Sequence, residues 1–210
     1  MRVVIFGATG RIGRPLLAEA LKRGHEVVAF ARDPGKLNLE HERLTVVAGD
    51  VLDAEAVEKA VVGGDAVLSV IGHAKGGMKD VQRRGTGNIV AAMEKRGVRR
   101  LVSLTGAGVR TEGDEPKPVD RLINLFMKTL ERDVLEDAEE HVRVIQGSGL
   151  EWVIVRGRRL TEGEKKGNYR VALVVGKNSG TAISRADLAD FMLDQVVEDA
   201  YLGRMPVVSY

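Results

Sequence analysis

The sequence predicts an α/β fold: a doubly wound, mostly parallel sheet with helices on both faces, formed as a single domain. Three observations predict it. Six short apolar runs recur along the chain, helical segments separate them, and a glycine-rich turn follows the first run directly. Most runs are apolar throughout rather than alternating with polar residues, which is typical of strands buried on both faces of a parallel sheet.

The predicted elements alternate from the first residue to about residue 155. The strands are expected at 3–6, 26–31, 44–48, 66–71, 100–104 and 152–155. The helices are expected at 11–23, 53–62, 80–96, 119–146 (long enough to be two helices or one bent helix) and 184–198. Glycines follow three of these helices, and Asp53 and Ser184 are typical helix N-caps.

Two loops are expected at the carboxyl edge of the sheet, because each follows a predicted strand. They span 106–118 and 157–168. Ligands bind at this edge in doubly wound sheets, so each loop is either a lid or substrate loop or simply exposed surface. No domain boundary is evident. We therefore expect one domain over 1–210, with a small substrate-side portion from about 157 to 210.

Composition excludes several classes of function. The chain has 32 basic and 30 acidic residues, a net charge of +2, which does not indicate a nucleic-acid partner. It has no cysteine, which excludes disulfides, thiolate nucleophiles and cysteine zinc sites. Its histidines have no metal-binding spacing, so no metal is expected. With no signal peptide and no apolar run of about 20 residues, we expect a cytoplasmic protein without a membrane partner; the sequence carries no signal for an oligomeric state.

The strongest motif is the glycine turn GATGRIG, which follows the first strand and opens the first helix. Gly7 allows a sharp turn, Gly10 lets a pyrophosphate approach the backbone, and Gly13 lets the helix pack closely on the sheet. Backbone N–H groups at the helix start would face the phosphates. This arrangement predicts a Rossmann-type dinucleotide site, the alternative being a tight turn with no ligand. The residues expected along the pyrophosphate also include Thr9, Arg11 and Ile12.

The end of the second strand favours NADP(H) over NAD(H). Arg32 stands where NAD enzymes usually have an acidic residue for the ribose hydroxyls. A guanidinium can hold a 2′-phosphate through two hydrogen bonds, and Lys36 could add a second positive charge. The alternative is that Arg32 is an ordinary surface cation. Asp33 lies in Asp-Pro-Gly, a turn sequence that explains it without a ligand.

The chain resembles the atypical short-chain dehydrogenase/reductase group, and within it the NAD(P)H-binding proteins related to biliverdin reductase B, also called flavin reductase. The resemblance spans essentially the full chain and is carried by GATGRIG, FARDPGKL, VVAGDVLD, DAVLSVIG, GNIVAAMEKRGVRRLVSLTGAG, SGLEWVIVR and ISRADLADFML. It implies that Arg32 binds the 2′-phosphate, that Asp50 and Val51 form the adenine pocket, and that Ile71 and Gly72 form the strand end beneath the ribose. It also implies that Ser103, Leu104 and Thr105 form the strand end beside the nicotinamide, and that Arg156, after the sixth strand, belongs to the site. Alternatively, Asp50 or Asp53 serves only to cap the helix that follows.

One departure from the wider superfamily concerns catalysis. Its typical members use Tyr-x-x-x-Lys, whereas none of Tyr169, Tyr201 and Tyr210 precedes a lysine by four residues. Ser103 and Thr105 remain as catalytic candidates, with strand-end hydroxyls that only satisfy the backbone as the alternative.

Other candidate residues are expected to be structural. His141 directly follows the charged stretch 131–140 and is expected on a solvated face of the same helix. Lys128 is also expected on the surface. Trp152 and Phe191 are expected in the core.

The sequence thus predicts an NADPH-dependent oxidoreductase. It would transfer hydride to a planar small-molecule acceptor such as a flavin, quinone or tetrapyrrole, with proximity rather than acid catalysis as the main device. The alternative is a non-catalytic NADP(H)-binding redox sensor of the NmrA type. A sugar-nucleotide epimerase is disfavoured, because those enzymes normally keep Tyr-x-x-x-Lys and a larger carboxyl-terminal domain.

Overall fold

The computed structural model describes residues 1–73, 77–115, 132–176 and 179–210. The strands in these ranges are β1 (Arg2–Phe6), β2 (Glu26–Ala31), β3 (Leu44–Ala48), β4 (Ala66–Ser69), β5 (Arg100–Gly106), β6 (Glu151–Gly157), β7 (Arg159–Thr161), β8 (Arg170–Ala172), β9 (Ala182–Ser184) and β10 (Val207–Ser209). The helices are α1 (Gly13–Lys22), α2 (Ala54–Val61), α3 (Val81–Arg96), α4 (Arg132–Gln146) and α5 (Arg185–Asp194), with a short 3-10 turn at Pro34–Lys36.

The central sheet has eight strands in the order β3-β2-β1-β4-β5-β6-β10-β8. All neighbours in it are parallel except β8, which pairs antiparallel with β10 at one edge. The chain first winds outward from β1 to β3, then crosses to β4 on the other side of β1. This reversal opens a crevice above the carboxyl ends of β1 and β4, which is where ligands bind in folds of this kind.

Each face of the sheet has its own apolar core. Val3 and Ile5 of β1 point toward α1 and α5, and Val4 and Phe6 point toward α2, α3 and α4. All four side chains have no exposed surface. The unbroken apolar run of β1 is therefore explained by burial on both faces, and the predicted fold class is confirmed.

The structure adds four strands to the six that the sequence predicts. Each of β7, β8, β9 and β10 has only three residues, too few for a periodic pattern to be detected. β7 lies inside the predicted loop 157–168 and pairs with β9 in a separate small sheet. The predicted strand 66–71 ends at Ser69, and the predicted helix 184–198 begins at Arg185 and ends at Asp194.

The structure can be compared with several other predictions, on burial and on the bounds of predicted elements. Phe191 is buried as expected, and Trp152 is partly buried against the core beneath α3 and α4. The first part of the predicted helix 119–146, including Lys128, lies outside the described residues, as does the end of the predicted loop 106–118. None of the helices in the described ranges is long and apolar enough to cross a membrane.

Candidate functional site

The glycine turn after β1 requires its first and third glycines for steric reasons. Gly7 has a φ of +85°, and a Cβ there would lie 2.8 Å from the carbonyl oxygen of Val70. A Cβ on Gly13 would lie only 2.1 Å from the carbonyl oxygen of Gly7. Gly10 differs, since its Cβ would meet only the Gly7 oxygen, at 3.1 Å, and otherwise project into open space. Gly7 and Gly13 shape the backbone, whereas Gly10 keeps the surface of the turn clear.

The amino terminus of α1 is open toward this space. Its N-cap residue, Ile12, makes no side-chain cap hydrogen bond, and its first turn contains no acidic residue. By contrast, Asp53 caps α2 and Ser184 caps α5 through their side chains. The positive end of the α1 dipole is therefore not neutralised by a local side chain, which favours an anionic ligand at this point.

A cleft of about 660 Å³ lies above the carboxyl ends of β1 to β4, a volume within the range of small-molecule and cofactor sites. Its lining combines the glycine turn with the strand ends predicted from the sequence. The predicted residues that line it are Gly7, Thr9, Gly10, Arg11, Ile12, Arg32, Asp50, Val51, Ile71 and Gly72.

Arg32 projects at the tip of β2 and is exposed on the cleft wall. Among the described residues, no hydrogen bond or ion pair holds its guanidinium. Lys36 does not line the cleft and pairs with Asp33 at 3.3 Å. Arg14 joins this corner to the glycine turn by donating to the Lys36 carbonyl at 2.8 Å and the Thr9 carbonyl at 3.1 Å. Arg32 is thus the cation presented to a ligand, and Arg14 fixes the geometry around it.

The segment after β3 forms a tight turn against the same cleft. The Asp50 carboxylate accepts a hydrogen bond from the Leu52 N–H at 2.9 Å. Asp53 caps α2 by accepting from the N–H groups of Glu55 and Ala56 at 3.0 and 3.2 Å, which confirms its expected role. Val51 is nearly buried and lines the cleft.

The remaining predicted site residues do not line the cleft. They are Gly13, Lys36, Ser103, Leu104, Thr105 and Arg156. Ser103 and Thr105 are buried on the face of the sheet that carries α3 and α4, and the Thr105 hydroxyl has no hydrogen-bond partner. The guanidinium of Arg156 is fully buried, and it donates to the Asp114 carboxylate at 2.6 Å and to the carbonyl oxygens of Met205 and Leu173. In this structure Arg156 connects the segments that contain Asp114, Leu173 and Met205 and does not face the cleft.

The expectation that His141 is solvated was wrong. Its side chain has no exposed surface, and it lies within hydrogen-bond distance of the hydroxyls of Thr86 (2.6 Å) and Ser103 (3.2 Å). Burial lowers the pKa of His141 to about 4, although the nearby negative charge of Asp137 opposes the shift. The acidic neighbours of His141 in sequence suggested an exposed face, but α4 turns His141 and Asp137 toward the sheet.

Sequence reasoning missed several residues that line the cleft. Arg185, the first residue of α5, enters it from the carboxyl-terminal portion, together with Leu160 at the middle of β7. His73 lines the cleft just after β4, with its Nε2 atom 2.9 Å from the Asp137 carboxylate. That carboxylate also accepts from the N–H groups of Gln82 and Arg83 at the start of α3. Proximity to the predicted strand end could have identified His73, but nothing local identifies the pairing with Asp137.

Within the ranges that the structure describes, no group of three or more histidine, aspartate or glutamate side chains is placed to hold a metal ion. The cationic groups on the cleft wall are instead arginines, namely Arg11, Arg32 and Arg185. The cleft wall therefore carries positive charge, which favours an anionic ligand.

The fold and the cleft together define a Rossmann-type nucleotide-binding protein. The chain belongs to the NAD(P)H-binding family, whose sequence pattern matches residues 7–199. This confirms the resemblance found in the sequence.

Two curated relatives illustrate the range of this similarity. The chain is 34% identical over 147 residues to a 3-beta-hydroxysteroid dehydrogenase of Mycolicibacterium neoaurum, covering 61% of this chain and 40% of that protein. It is 29% identical over 229 residues to the chloroplastic divinyl chlorophyllide a 8-vinyl-reductase of Arabidopsis thaliana, covering 98% of this chain and 52% of that protein. The chain therefore spans about half or less of the length of each of these relatives.

Two solved structures share the fold over the full chain. A short-chain dehydrogenase/reductase of Veillonella parvula in complex with NADP superposes with a TM-score of 0.81 at 20% identity, covering 100% of this chain and 94% of that one. The anaerobillin reductase ChuY of Escherichia coli O157:H7 also gives a TM-score of 0.81 at 20% identity, covering 100% and 97% of the two chains.

Proposed function

We propose that this protein is an NADPH-dependent oxidoreductase that transfers hydride to a planar acceptor such as a flavin, quinone or tetrapyrrole. The observation that carries the proposal is a cleft lined both by the uncapped start of α1 and by Arg32 at the tip of β2, whose guanidinium has no partner in the part of the chain that the structure describes. Membership of the NAD(P)H-binding family makes the ligand a nicotinamide dinucleotide. A guanidinium attracts a 2′-phosphate, which favours the phosphorylated form.

The residues present fit this cofactor. Gly10 and Gly72 keep the cleft floor open, since a Cβ on Gly72 would meet nothing within 4 Å. We assign the pyrophosphate to the backbone and side chains of the glycine turn, the 2′-phosphate to Arg32 with Lys36 nearby, the adenine to Asp50 and Val51, and the ribose to Ile71 and Gly72. Gly13 contributes by allowing α1 to pack closely against the turn.

NADPH, when bound, supplies the hydride. The chain itself contributes orientation and exclusion of water, because Val70, Met78 and Leu160 give the cleft an apolar wall. Holding two reactants in a fixed geometry can supply much of the rate enhancement when little acid catalysis is needed. We assign Ser103, Leu104 and Thr105 to the strand end beside the nicotinamide, where they support its position from beneath the surface.

The segment from about residue 157 to 210 is proposed as the acceptor-side portion of the single domain. It contributes Leu160 and Arg185 to the cleft. Its Asp187 carboxylate accepts hydrogen bonds from the N–H groups of Lys166 and Gly167, so the loop after β7 is attached to α5. These hydrogen bonds support the proposal that this portion belongs to the same domain as the rest of the cleft.

A non-catalytic redox sensor is the second candidate. Two observations favour it: no tyrosine of the sequence precedes a lysine by four residues, and the buried Ser103 hydroxyl lies within hydrogen-bond distance of His141. A sensor would bind the cofactor tightly, would show no turnover with any acceptor and would change its partner with the redox state of the cofactor.

The test of the proposal is a titration of NADPH and NADH against the wild-type protein, Arg32→Glu and Lys22→Glu. The wild type is expected to prefer NADPH by about tenfold or more, equivalent to about 1.4 kcal/mol, and Arg32→Glu is expected to lose this preference. Lys22→Glu is a matched charge reversal at the opposite end of α1 and should leave the preference unchanged. Equal affinities for the two cofactors in the wild type would refute the role of Arg32.

Turnover separates the enzyme from the sensor. NADPH oxidation is followed by the loss of absorbance of the reduced cofactor, with saturating flavin, quinone or linear tetrapyrrole. Turnover with any of them supports the oxidoreductase. Tight NADPH binding with no oxidation in any of these reactions favours the sensor.

A further inference from the structure

Two arginines of the cleft converge on a single carboxylate oxygen. The Oε1 atom of Glu162 accepts from Nη2 of Arg11 at 2.5 Å and from Nη1 of Arg185 at 2.7 Å. Arg11 belongs to the glycine turn, Glu162 follows β7, and Arg185 begins α5. Three segments that are distant in sequence thus meet at one anionic atom on the rim of the cleft.

The three side chains differ strongly in exposure. Those of Glu162 and Arg11 are 70% and 74% exposed, whereas that of Arg185 is 11% exposed. Among the described residues, the buried Nε atom of Arg185 has no hydrogen-bond partner. Arg185 is therefore a largely desolvated cation with a donor still free, a costly state unless a ligand completes it.

A ligand could easily displace Glu162 from its contacts with Arg11 and Arg185. The hydrogen bond from Arg11 is the largest influence on the pKa of Glu162 and lowers it; desolvation opposes this shift, and the charges of Arg185 and Arg11 lower the pKa further, so the carboxylate is ionised at neutral pH. Ion pairs between exposed side chains contribute little to stability. An oxyanion delivered by a ligand could replace Glu162 without disturbing the fold.

The position of Arg185 points to the acceptor rather than to the adenosine half of the cofactor. Arg32 and Asp50 follow β2 and β3, on one side of β1. Arg185 follows β9, whose partner β7 continues directly from β6 on the other side of β1. A dinucleotide that places its adenosine near Arg32 leaves Arg185 beside the acceptor end of the cleft.

We propose that Arg185, next to the pyrophosphate residue Arg11, forms an oxyanion site for a carboxylate or phosphate group on the acceptor, and that Glu162 occupies this site until the acceptor binds. The inference rests on the proposed oxidoreductase function and narrows its substrates. The preferred acceptors are planar molecules that carry a negatively charged side group.

The test uses pairs of acceptors that share a redox ring and differ in charge. FMN and riboflavin differ by a phosphate, and a linear tetrapyrrole dicarboxylate differs from its dimethyl ester by two carboxylates. Dissociation constants are measured by fluorescence quenching in the presence of NADP⁺, with no turnover required. The wild type is expected to favour the anionic member of at least one pair by about tenfold or more.

The variants connect this preference to named residues. Arg185→Gln is expected to reduce the preference to within about twofold, and Arg185→Lys to restore part of it. Glu162→Gln is expected to tighten binding of the anionic acceptor, because the competing carboxylate is removed. Arg159→Gln removes an exposed arginine of β7 that does not line the cleft and should leave the preference unchanged.

The outcomes are distinct. The pair that discriminates identifies the group, phosphate or carboxylate, that the site accepts. No preference for either anionic acceptor in the wild type overturns the inference. So does an Arg185→Gln variant that weakens NADPH binding while keeping the acceptor preference, since the site would then belong to the cofactor. If the protein does not bind NADPH, the proposed function is wrong. The ratio of the dissociation constants of the two acceptors in each pair still tests the role of Arg185.

Discussion

The guanidinium of Arg156 donates a hydrogen bond to the carboxylate of Asp114 across 2.6 Å, with both side chains almost completely excluded from water. Arg156 is the penultimate residue of β6, and Asp114 lies in the loop that follows β5. Burial by itself would raise the pKa of Asp114, but hydrogen bonds from Arg156 and from the N–H groups of Thr111 and Val175 outweigh it and lower the pKa. The pair fastens the loop after β5 to the rest of the domain.

Asp114→Asn is expected to lower the free energy of unfolding by about 3–5 kcal/mol, because it leaves the Arg156 charge buried without a counter-charge. Urea denaturation followed by circular dichroism measures this. Asp199→Asn is the matched control, since Asp199 pairs with Arg100 at 2.6 Å but is 73% exposed. That pair is expected to contribute less than about 1 kcal/mol. Equal losses for the two variants would contradict the structural role of the buried pair.

Substitutions at two glycines of the turn are expected to have different effects, one on the stability of the protein and the other on cofactor binding. Gly13→Ala is expected to destabilise the protein by about 1–3 kcal/mol or more, because the new Cβ has no room beside the Gly7 oxygen. Gly10→Ala should unfold close to the wild-type temperature but bind NADPH at least about tenfold more weakly, since its Cβ enters the cleft. Thermal unfolding and cofactor titration are compared for both variants. A Gly10→Ala protein that binds NADPH normally would contradict the proposed path of the pyrophosphate.

Burial of His141 predicts a specific acid sensitivity. The pKa of His141 is about 4 in the folded protein, compared with its ordinary value of 6.5. Between pH 4 and pH 6.5 the unfolded chain therefore binds a proton on His141 that the folded protein does not bind. The stabilisation is complete above pH 6.5 and is lost as the pH falls toward 4. Between pH 7 and pH 5 this loss amounts to about 2 kcal/mol.

The measurement is the free energy of unfolding at several pH values for the wild type and two variants. His141→Gln should be less stable at neutral pH but should lose less stability on acidification. His41→Gln, at a partly exposed position, should follow the wild-type slope. An unchanged slope in His141→Gln would show that the imidazole is not held neutral in the fold.

The hydroxyl of Tyr210 ties the carboxyl terminus to α5. It donates to the Asp187 carboxylate at 2.5 Å and accepts from the Ser184 N–H at 3.2 Å. Tyr210→Phe is expected to cost about 1–3 kcal/mol, the usual range for a hydrogen bond to a charged group. The same change at Tyr201, whose ring packs edge-on against Phe191, should cost no more than about 0.5 kcal/mol. Thermal unfolding of the two variants in parallel provides the comparison.

Local features of the sequence accounted for the fold class and for much of the candidate site. The apolar runs identified β1 to β6, because strands buried on both faces of a parallel sheet are mostly apolar, although β3, at the edge of the sheet, is mostly exposed. The roles of Asp53 and Ser184 could be recognised because a helix cap depends on residues only two or three positions away. The glycine turn and Arg32 were located in the same way, each from its place directly after a strand.

Tertiary structure decided which side chains meet across the fold. His141 was expected in solvent because its neighbours in sequence are acidic, yet α4 turns it toward Ser103 on β5. Arg156 was expected at the cleft, yet Asp114 and two carbonyl groups hold it in the interior.

The sequence by itself determined the alternation of strands and helices, the turn beneath the candidate cofactor site and the charge at the tip of β2. Only the tertiary structure brought Arg11, Glu162 and Arg185 together and buried the last of them. The reason is that backbone conformation follows from interactions between residues near one another in the chain. Burial and ion pairing are set by the packing of segments that can be far apart in the chain, such as the glycine turn and Glu162, which are 151 residues apart.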